Sequence, residues 1–324
     1  MKIIRQYTDV PFEQRGAVVA LGNFDGVHHG HREVIRRAKV HSDTLGVPLG
    51  VIVFEPHPRE FFARDTKPFR LTGLSLKARL LEKEGVDILY VLTFDKDMAS
   101  MMAQEFIANV LVGALGVVHV VTGWDFRFGQ DRGGDTTMIR YMGEEEGFGV
   151  TIVDPVALQI PARPDNDDEI FSSTRVRNCL RSGKPAEAAR LLGHYWTIEG
   201  VVQKGDQRGR TIGFPTANLS MNWLIEPALG VYAVKVEVLE GPDAGIYDGV
   251  ANIGRRPTFD KEDILLEAHL FSFSADLYGR PIAVSIVDYI RAEQKFDGID
   301  ALKEQIRLDS RAAKDILADI KMTA

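Results

Sequence analysis

Three histidines lie close together in residues 21–31, LGNFDGVHHGH, directly after the apolar run AVVAL. Glycine occupies every fourth position from residue 22 to residue 30, and glycine lets the backbone approach a ligand closely. His28 and His31 are three residues apart, so they share a face on a helical turn. Imidazoles at a helix start, where free N–H groups and the positive dipole end converge, favour phosphate binding and the stabilisation of developing charge.

Two other interpretations of this stretch stay open at this point. The first is a capped helix with surface histidines, which is the commoner outcome for an isolated H-x-G-H string. The second is a zinc site, although the neighbouring sequence holds no matching cluster of Cys, His and Asp. The rest of the chain has to decide between them.

Three further stretches carry groups that suit a nucleotide or a flat heterocycle. GWDFRFGQDRGGD (123–135) alternates aromatic with charged side chains, and planar rings with an arginine suit a heterocycle carrying phosphate. SSTRVR (172–177) presents hydroxyls and arginines at a predicted helix start. KGDQRGRTIGFPTANLS (204–220) is rich in glycine, which lets a loop fold over phosphates, but it lacks the G-K-[ST] of a Walker A loop. A hairpin, a capped basic helix and a Gly-rich turn are the structural alternatives.

Glu267 lies in the predicted strand LLEAHLFSF (265–273), with His269 on the same face because strand side chains alternate. A carboxylate there can accept the proton of an attacking hydroxyl. A salt bridge on an exposed strand face is the alternative. Thr216 and Asn218 offer oxygen atoms to Mg²⁺ and phosphate.

The elements that must position these residues alternate in the first half of the chain. The predicted strands are 17–22, 49–54, 86–94, 117–123 and 149–156, and the predicted helices are 31–46, 74–85, 97–116 and 133–148. This order predicts an α/β domain, a parallel, Rossmann-like sheet with helices on both faces. Such sheets bind ligands at the carboxyl ends of their strands, which is where residues 22–26 and 123–135 lie.

From Tyr195 onward, strands separated by Gly, Pro and Asp turns predict an antiparallel β-barrel. A last helix is predicted over 298–320, and two short helices over 172–183 and 184–193. The boundary is therefore predicted near residue 183, which gives an N-terminal domain of 1–183 and a C-terminal domain of 184–324.

Composition limits the class of protein. The chain has 324 residues, which suits two domains, a net charge of −7 and the single cysteine Cys179. The negative charge disfavours DNA and acidic membrane surfaces, so neither a nucleic acid nor a membrane is an expected partner. The first residues are too polar for a signal peptide, and no apolar run approaches the ~20 residues that span a bilayer. Because a lone cysteine also fits a reducing compartment, we expect a cytoplasmic protein.

Taken together, the motifs resemble one family over nearly the whole chain. Residues 22–31 resemble the nucleotidylyltransferase signature and, more closely, the N-terminal module of the bifunctional prokaryotic riboflavin kinase/FAD synthetase family. The family strings F-x-P-H-P, G-x-[DN]-F-x-F-G-x-x-R-x-G and I-S-S-T-x-[IV]-R are similar to FEPHPREFF (54–62), GWDFRFGQDRGGD and FSSTRVR, with Phe171 in place of the isoleucine. The riboflavin kinase segments are similar, in order, to GRTIGFPTAN (209–218), GVANIGRRPTF (249–259), LLEAHLFSFSADLYG (265–279) and IRAEQKFDGIDALKEQIRLD (290–309).

The resemblance implies two reactions that use ATP. Riboflavin would be phosphorylated to FMN in the C-terminal module, and FMN would be adenylylated to FAD in the N-terminal module, with release of pyrophosphate. It implies Glu267 as the general base of the kinase and Mg²⁺ held by Thr216 and Asn218. In the transferase it implies that His28 and His31 stabilise the transferred phosphate.

The remaining implied site residues line the ligands. ATP and its phosphates are expected at Gly22, Asn23, Phe24, Asp25, Gly30, Ser173, Thr174, Arg177, Gly209, Arg210, Gly213, Pro215, Thr216 and Asn218. The flavin is expected at His57, Pro58, Asp125, Phe126, Phe128 and Arg291. Asp125 occupies a position that is Asp or Asn in the family. Flavoproteins that use the products are conceivable partners, but no motif identifies one.

Two alternatives to a bifunctional enzyme remain at this stage. One is an enzyme in which only one of the two modules is active. The other is a flavin- or nucleotide-binding regulatory protein without turnover. Such a protein would keep the glycines and aromatic residues but would not need Glu267 or the histidine pair.

Overall fold

The computed structural model describes residues 1–62, 67–156, 170–204, 213–221, 223–257 and 262–320. The chain forms two compact units. The first lies within residues 1–66 and 77–171, and the second within residues 67–76 and 172–324. The predicted domains 1–183 and 184–324 concern the functional modules, and that boundary stays a prediction.

The first unit is built on six parallel strands in the order β1-β4-β3-β2-β5-β6. These strands are β1 (Lys2–Ile4), β2 (Val18–Leu21), β3 (Leu49–Glu55), β4 (Ile88–Thr93), β5 (His119–Gly123) and β6 (Gly149–Val153). Side chains on both faces of β2, β3 and β4 are buried, which explains their continuous apolar sequences. The predicted parallel sheet is confirmed, and β1 is an edge strand that the sequence pattern did not indicate.

The helices of this sheet are bounded largely by side-chain or glycine caps. They are α1 (His29–Leu45), α2 (Pro58–Phe62), α3 (Leu74–Lys83), α4 (Lys96–Ser100), α5 (Ala103–Glu105) and α6 (Thr136–Glu146). Gly46 and Gly147 end α1 and α6 in the left-handed conformation that glycine adopts readily.

The single helix predicted over 97–116 is interrupted in the structure. Met101 and Met102 are extended, and beyond them α5 continues as a π-helix over Phe106–Ala114. Two caps explain the interruption. The Asp95 carboxylate accepts a backbone N–H of α4 at 2.9 Å, and the Glu105 carboxylate accepts the N–H of Met102 at 2.9 Å. Each short helix therefore has its own N-terminal cap, which apolar periodicity alone does not reveal.

The second unit is built on six antiparallel strands in the order β7-β12-β9-β10-β11-β8. These strands are β7 (Trp196–Val201), β8 (Ala217–Ser220), β9 (Gly230–Val238), β10 (Gly245–Pro257), β11 (Glu262–Leu270) and β12 (Pro281–Ala292). The Gln203 N–H donates to the Asn218 carbonyl at 2.9 Å and links the two edges of the sheet. The predicted antiparallel barrel is therefore confirmed as a nearly closed one, and β8 is a strand that the sequence pattern did not indicate.

Helices α7 (Ser173–Arg181), α8 (Pro185–Leu192) and α9 (Ile299–Ala318) complete the second unit. Ala313 and Leu317 of α9 pack against Val231 and Val250 of the barrel, so the last helix buries one patch of the sheet. Gly230 begins β9 with a φ of +150°, and a Cβ at that position would clash with the Arg291 carbonyl. Across the part of the chain that the structure describes, no helix is both long enough and apolar enough to cross a membrane.

Residues 67–76, here called the strap segment, belong to the second unit although in the sequence they follow α2 and include the first turn of α3. The Ile225 N–H donates to the Arg70 carbonyl at 2.8 Å. The buried indole N–H of Trp196 donates to the Leu71 carbonyl at 2.8 Å. The strap segment therefore provides acceptors to donors that would otherwise be buried without partners.

Leu71 is fully buried, so truncating it tests the contribution of the strap segment. Leu71→Ala should lower the free energy of unfolding of the second unit by about 2–5 kcal/mol, as for other buried leucines. Urea unfolding followed by tryptophan fluorescence measures the effect, in a Trp124→Phe background that leaves Trp196 and Trp223 of the second unit. Lys67→Ala changes an exposed position of the same segment and is the control. A midpoint that Leu71→Ala leaves unchanged would contradict the role of the segment.

Two histidines form a titratable contact in the first unit. The rings of His41 and His119 stack with centroids 3.9 Å apart, and their Nε2 atoms lie 3.0 and 2.9 Å from Thr151 Oγ1. Burial, and then the charge of His41, lowers the pKa of His119 from 6.5 to about 4. Folding therefore favours the neutral ring. Its contribution to stability is complete above pH 6.5 and is lost as the pH falls towards 4.

We expect the melting temperature to fall as the pH is lowered through this window, in part because His119 must take up a proton. In His119→Gln the side chain can still bond to Thr151 but does not titrate, so the fall should be shallower. Thermal unfolding at a series of pH values gives both slopes. Parallel slopes for the two proteins would show that His119 does not contribute.

Candidate active sites

The first candidate site lies at the carboxyl ends of β2, β3, β4 and β5. β2 lies between β3 and β5, so later strands extend the sheet away from it in both directions. Such a reversal leaves a crevice in which α/β sheets bind ligands. Thr122 Oγ1 of β5 donates to the Leu21 carbonyl of β2 at 3.0 Å and joins the two strands at this point.

The loop from Gly22 to His28 follows β2 and has a strained backbone. Phe24, Gly26 and Val27 have φ values of 48°, 89° and 43°. Val27 is β-branched, and such residues rarely adopt this conformation. The side chains of Phe24 and Val27 are buried, which holds the loop in place. Strained backbone concentrates at ligand-binding sites, so this loop is a candidate site on structural grounds as well.

The structure brings His28 and His31 together at the N-terminus of α1. His28 precedes α1, and its Nδ1 accepts the His31 backbone N–H at 3.3 Å. The two rings stack with centroids 3.6 Å apart. Gly30 leaves room for the stack, because a Cβ there would lie 3.2 Å from the His28 ring. Since Nδ1 is the acceptor, a neutral His28 carries its proton on Nε2, which can donate to a phosphate oxygen.

Lys77 is a buried residue of α3 that sequence reasoning missed. Its Nζ donates to the Asn23 carbonyl at 2.8 Å, across 54 positions of sequence. Lysine is almost never fully buried unless it is paired. The contact ties the loop to α3 and places a positive charge beside the predicted phosphate site. Asp25, in the same loop, is also buried.

An aromatic cluster that sequence reasoning also missed lies at the ends of β3 and β4. The Phe94 ring lies at its centre and contacts three others at centroid distances of 5.4–5.8 Å, those of Phe54, Phe61 and Phe62. The predicted flavin residues His57 and Pro58 lie in the same turn, where His57 Nδ1 accepts the Arg59 N–H at 3.1 Å and Pro58 begins α2. The Phe62 side chain is largely exposed, so a flat ligand has access to it.

Phe126 and Phe128, which follow β5, stack with centroids 5.7 Å apart. Phe128 is buried in the core, and its backbone exchanges two hydrogen bonds with Gly134 at 3.1 and 2.9 Å. Phe126 is half-buried and Asp125 is exposed. The pair therefore supports the turn after β5, and its contact with a flavin stays a prediction.

The second candidate site is a row of side chains across β10, β11 and β8. Asn252, Glu267 and Asn218 are directly opposite one another in the register, so they leave the sheet on one face. Asn252 was not identified from the sequence. Glu267 is exposed and Asn218 is buried. Asn218 Oδ1 has no hydrogen-bond partner among the residues described, and a buried amide oxygen of this kind suits a hard cation.

A cavity of about 350 Å³ adjoins this row and is lined in part by Thr216, Asn218, Phe273 and Tyr278. A more open cavity of about 640 Å³, beside α6, holds none of the predicted site residues. We associate ligand binding with the 350 Å³ cavity, because it is lined by Thr216 and Asn218, which are both predicted to bind phosphate and metal. Gly213, before the cavity, has a φ of +89°. The predicted residues Gly209 and Arg210 lie outside the described part of the chain.

Two other predicted site residues, Arg291 and Arg177, have side chains that are hydrogen-bonded within the protein. Arg291 forms a bidentate pair with Asp309 of α9, at 2.9 Å from Nε and 2.7 Å from Nη2. Arg177 of α7 is buried, and its Nε donates to the Phe69 carbonyl of the strap segment at 2.7 Å. Residues 173–174 form the first turn of α7. All of these lie in the second unit, and their roles in ligand binding stay predictions.

Family models match the two parts of the chain separately. The model for FAD synthetase matches residues 10–163, and the model for riboflavin kinase matches residues 192–317. The two matches therefore define a two-module enzyme with an FAD synthetase part and a riboflavin kinase part.

Curated relatives extend this match over the full length. The bifunctional riboflavin kinase/FMN adenylyltransferase of Escherichia coli (strain K12) is 42% identical over 317 residues, 97% of each chain. The protein of the same name from Pseudomonas fluorescens is 40% identical over 319 residues, 98% of each chain. That from Bacillus subtilis (strain 168) is 41% identical over 307 residues, which cover 93% of this chain and 92% of the relative. The chain belongs to the bifunctional riboflavin kinase/FMN adenylyltransferase family, which confirms the resemblance found in the sequence.

A solved structure is similar over the same length. The crystal structure of a macrolide-efflux protein from Streptococcus pneumoniae matches with a TM-score of 0.80 and 32% identity. The match covers 98% of this chain and 99% of that chain. The two proteins therefore share both units of the fold.

Proposed function

We propose that the chain makes FAD from riboflavin in two steps, one in each unit. The second unit transfers the γ-phosphate of ATP to riboflavin, giving FMN and ADP. The first unit transfers the adenylyl group of a second ATP to FMN, giving FAD and pyrophosphate. The observation that carries the proposal is that each unit holds its own candidate site, and that the FAD synthetase and riboflavin kinase models match separate parts of the chain.

In the second unit, Glu267 is the proposed general base. Its carboxylate takes the proton of the riboflavin 5′-hydroxyl while that oxygen bonds to the γ-phosphorus. The bond from this phosphorus to the bridging oxygen breaks, and ADP leaves. Asn218 is directly across the strand pair from Glu267, so the base and a ligand of the nucleotide share one face. Phosphoryl transfer needs mainly such positioning and charge stabilisation.

Thr216 and Asn218 are the residues proposed to hold Mg²⁺ on the ATP phosphates. Both line the same cavity, and both offer oxygen atoms, the donors that Mg²⁺ prefers. The buried Asn218 Oδ1, without a hydrogen-bond partner among the described residues, fits this use. When bound, the ion neutralises charge on the transferred phosphoryl group.

In the first unit, a phosphate oxygen of FMN attacks the α-phosphorus of ATP and pyrophosphate leaves. His28 and His31 donate to the phosphate oxygens and stabilise the charge that develops there. The loop over residues 22–26 and the first N–H groups of α1 bind the remaining phosphates. The stacked histidine rings support this assignment, because they bring two imidazoles together at the N-terminus of α1, in the loop that follows β2.

Incubating the protein with riboflavin, ATP and Mg²⁺, and separating the flavins by chromatography over time, tests the proposal. FMN should form first and FAD afterwards. If FMN accumulated without FAD, only the kinase reaction of the proposal would stand. Bound flavin without any product would instead favour a binding protein without turnover.

Single substitutions should separate the two reactions. His28→Ala should slow the formation of FAD from FMN ~10²–10³-fold, the usual effect of removing one donor to a developing charge, and should spare FMN formation. Glu267→Ala should slow FMN formation ~10²–10⁴-fold and spare FAD formation when FMN is supplied. Initial rates of both reactions in both variants give the result. Loss of both activities from either folded variant would contradict the assignment of one reaction to each unit.

Lys77→Met keeps the side-chain length and removes the ammonium group that bonds to Asn23. We expect kcat/KM for FAD formation to fall by about tenfold or more, because a hydrogen bond from a charged donor contributes ~1.5–3 kcal/mol. Lys77→Gln can still donate to the Asn23 carbonyl and should recover part of the loss. Riboflavin phosphorylation by the same variants is the control. Native FAD formation in Lys77→Met would show that the contact is dispensable.

A further inference from the structure

We propose that His269 is a positioning residue of the riboflavin kinase site: it fixes the segment before β8 and so holds Thr216 beside Asn218, the residue opposite Glu267. The inference rests on the proposed function for the reaction it serves. The contact between His269 and the Pro215 carbonyl is a property of the fold, and a measurement of ATP binding tests its role independently of the reaction.

A direct hydrogen bond joins His269 to this segment. His269 Nδ1 lies 2.8 Å from the carbonyl oxygen of Pro215. A carbonyl oxygen only accepts, so the ring proton is on Nδ1 and the bond is directional. The rings of Phe214 and Phe271 contact the imidazole edge to face, with centroids 5.5 and 6.0 Å away. The imidazole is therefore held between two aromatic rings and aimed at one acceptor.

This bond continues the β8–β11 ladder past its last backbone pair. The ladder pairs Glu267 with Asn218 and Ala268 with Ala217, and β8 begins at Ala217. The next residue of β11 is His269, which faces the chain as it enters β8. Its side chain thus provides a cross-strand hydrogen bond where backbone pairing has ended.

The segment that His269 holds carries the groups proposed to bind the nucleotide. Pro215 has no N–H, so its carbonyl is its one backbone hydrogen-bonding group. Thr216 follows directly, and Pro215, Thr216 and Asn218 line the same cavity. Fixing the Pro215 carbonyl therefore orders Thr216 before ATP arrives and lowers the ordering cost of binding.

His269 acts on ATP binding through this segment, and Glu267 remains the proton acceptor. The two side chains leave β11 on the same face because they are two residues apart. Loss of the His269 bond should therefore raise KM for ATP and change kcat little. If His269 served only packing, the KM for ATP of a variant would not depend on whether the new donor lies near the position of Nδ1 or near that of Nε2.

Two matched variants make this distinction. His269→Asn places an amide N–H near the position of Nδ1, and His269→Gln places one near the position of Nε2. In riboflavin phosphorylation, KM for ATP should rise ~3–10-fold in His269→Gln, the range expected for one neutral hydrogen bond, and stay within about twofold of native in His269→Asn. FAD formation from supplied FMN should be unchanged in both variants, which controls for folding of the chain.

Several outcomes would overturn the inference. These are equal KM values for ATP in the two variants, a native value in His269→Gln, or a rise in KM for riboflavin instead of ATP. If the native protein does not phosphorylate riboflavin, the proposed function fails on its own. Calorimetric titration of ATP with Mg²⁺ then still ranks the native protein, His269→Asn and His269→Gln. The Gln variant should bind most weakly, and equal affinities would disprove the contact's role.

Discussion

The position of β2 between β3 and β5 is the constraint on which the first candidate site depends. Parallel strands end at one edge of their sheet, and the reversal of strand order opens a crevice at that edge. The loop after β2 enters α1 inside this crevice. His28 closes the loop and also accepts a backbone N–H of α1, so the ring proposed to contact phosphate also caps the helix. The strain at Val27 persists because burial of its side chain holds the loop.

The second unit arranges its polar groups by cross-strand register instead. In an antiparallel sheet, directly paired residues share a face, and Asn252, Glu267 and Asn218 are paired in this way. A row of this kind needs no helix N-terminus, because the proposed base and the proposed cation ligand Asn218 leave neighbouring strands side by side. In the proposed function, the two units therefore bind nucleotide phosphates with different backbone geometry.

Local patterns were sufficient for much of this architecture. Continuous apolar strands that alternate with helices predicted the parallel sheet, and closely spaced strands between turns predicted the barrel. The period-two alternation of strand side chains placed Glu267 and His269 on one face, in agreement with the register. The motifs identified the family, and the three-residue spacing of His28 and His31 predicted that they lie side by side, which their ring contact confirms. These features depend on residues that are neighbours in sequence or on strings that are specific by themselves.

The features that were missed depend on distant contacts or on short elements. Lys77 meets Asn23 across 54 positions, and Trp196 meets Leu71 across 125. Periodicity carries no information about such pairs. β1 and β8 have three and four residues, too few to establish a pattern. The helix interruption at Met101 arises from caps at Asp95 and Glu105, whose side chains compete locally with a continuous helix.

The strap segment also limits which parts of the chain can be exchanged between relatives by recombination. The barrel takes part of its structure from residues 67–76, which come before β4, β5 and β6 of the other sheet in the order of the chain. A recombination breakpoint at the start of α7 would give the barrel a strap segment from a different parent. Exchange of the kinase module between relatives therefore requires two pieces of chain to match, because Trp196 bonds to the backbone of the strap segment and Leu71 is fully buried.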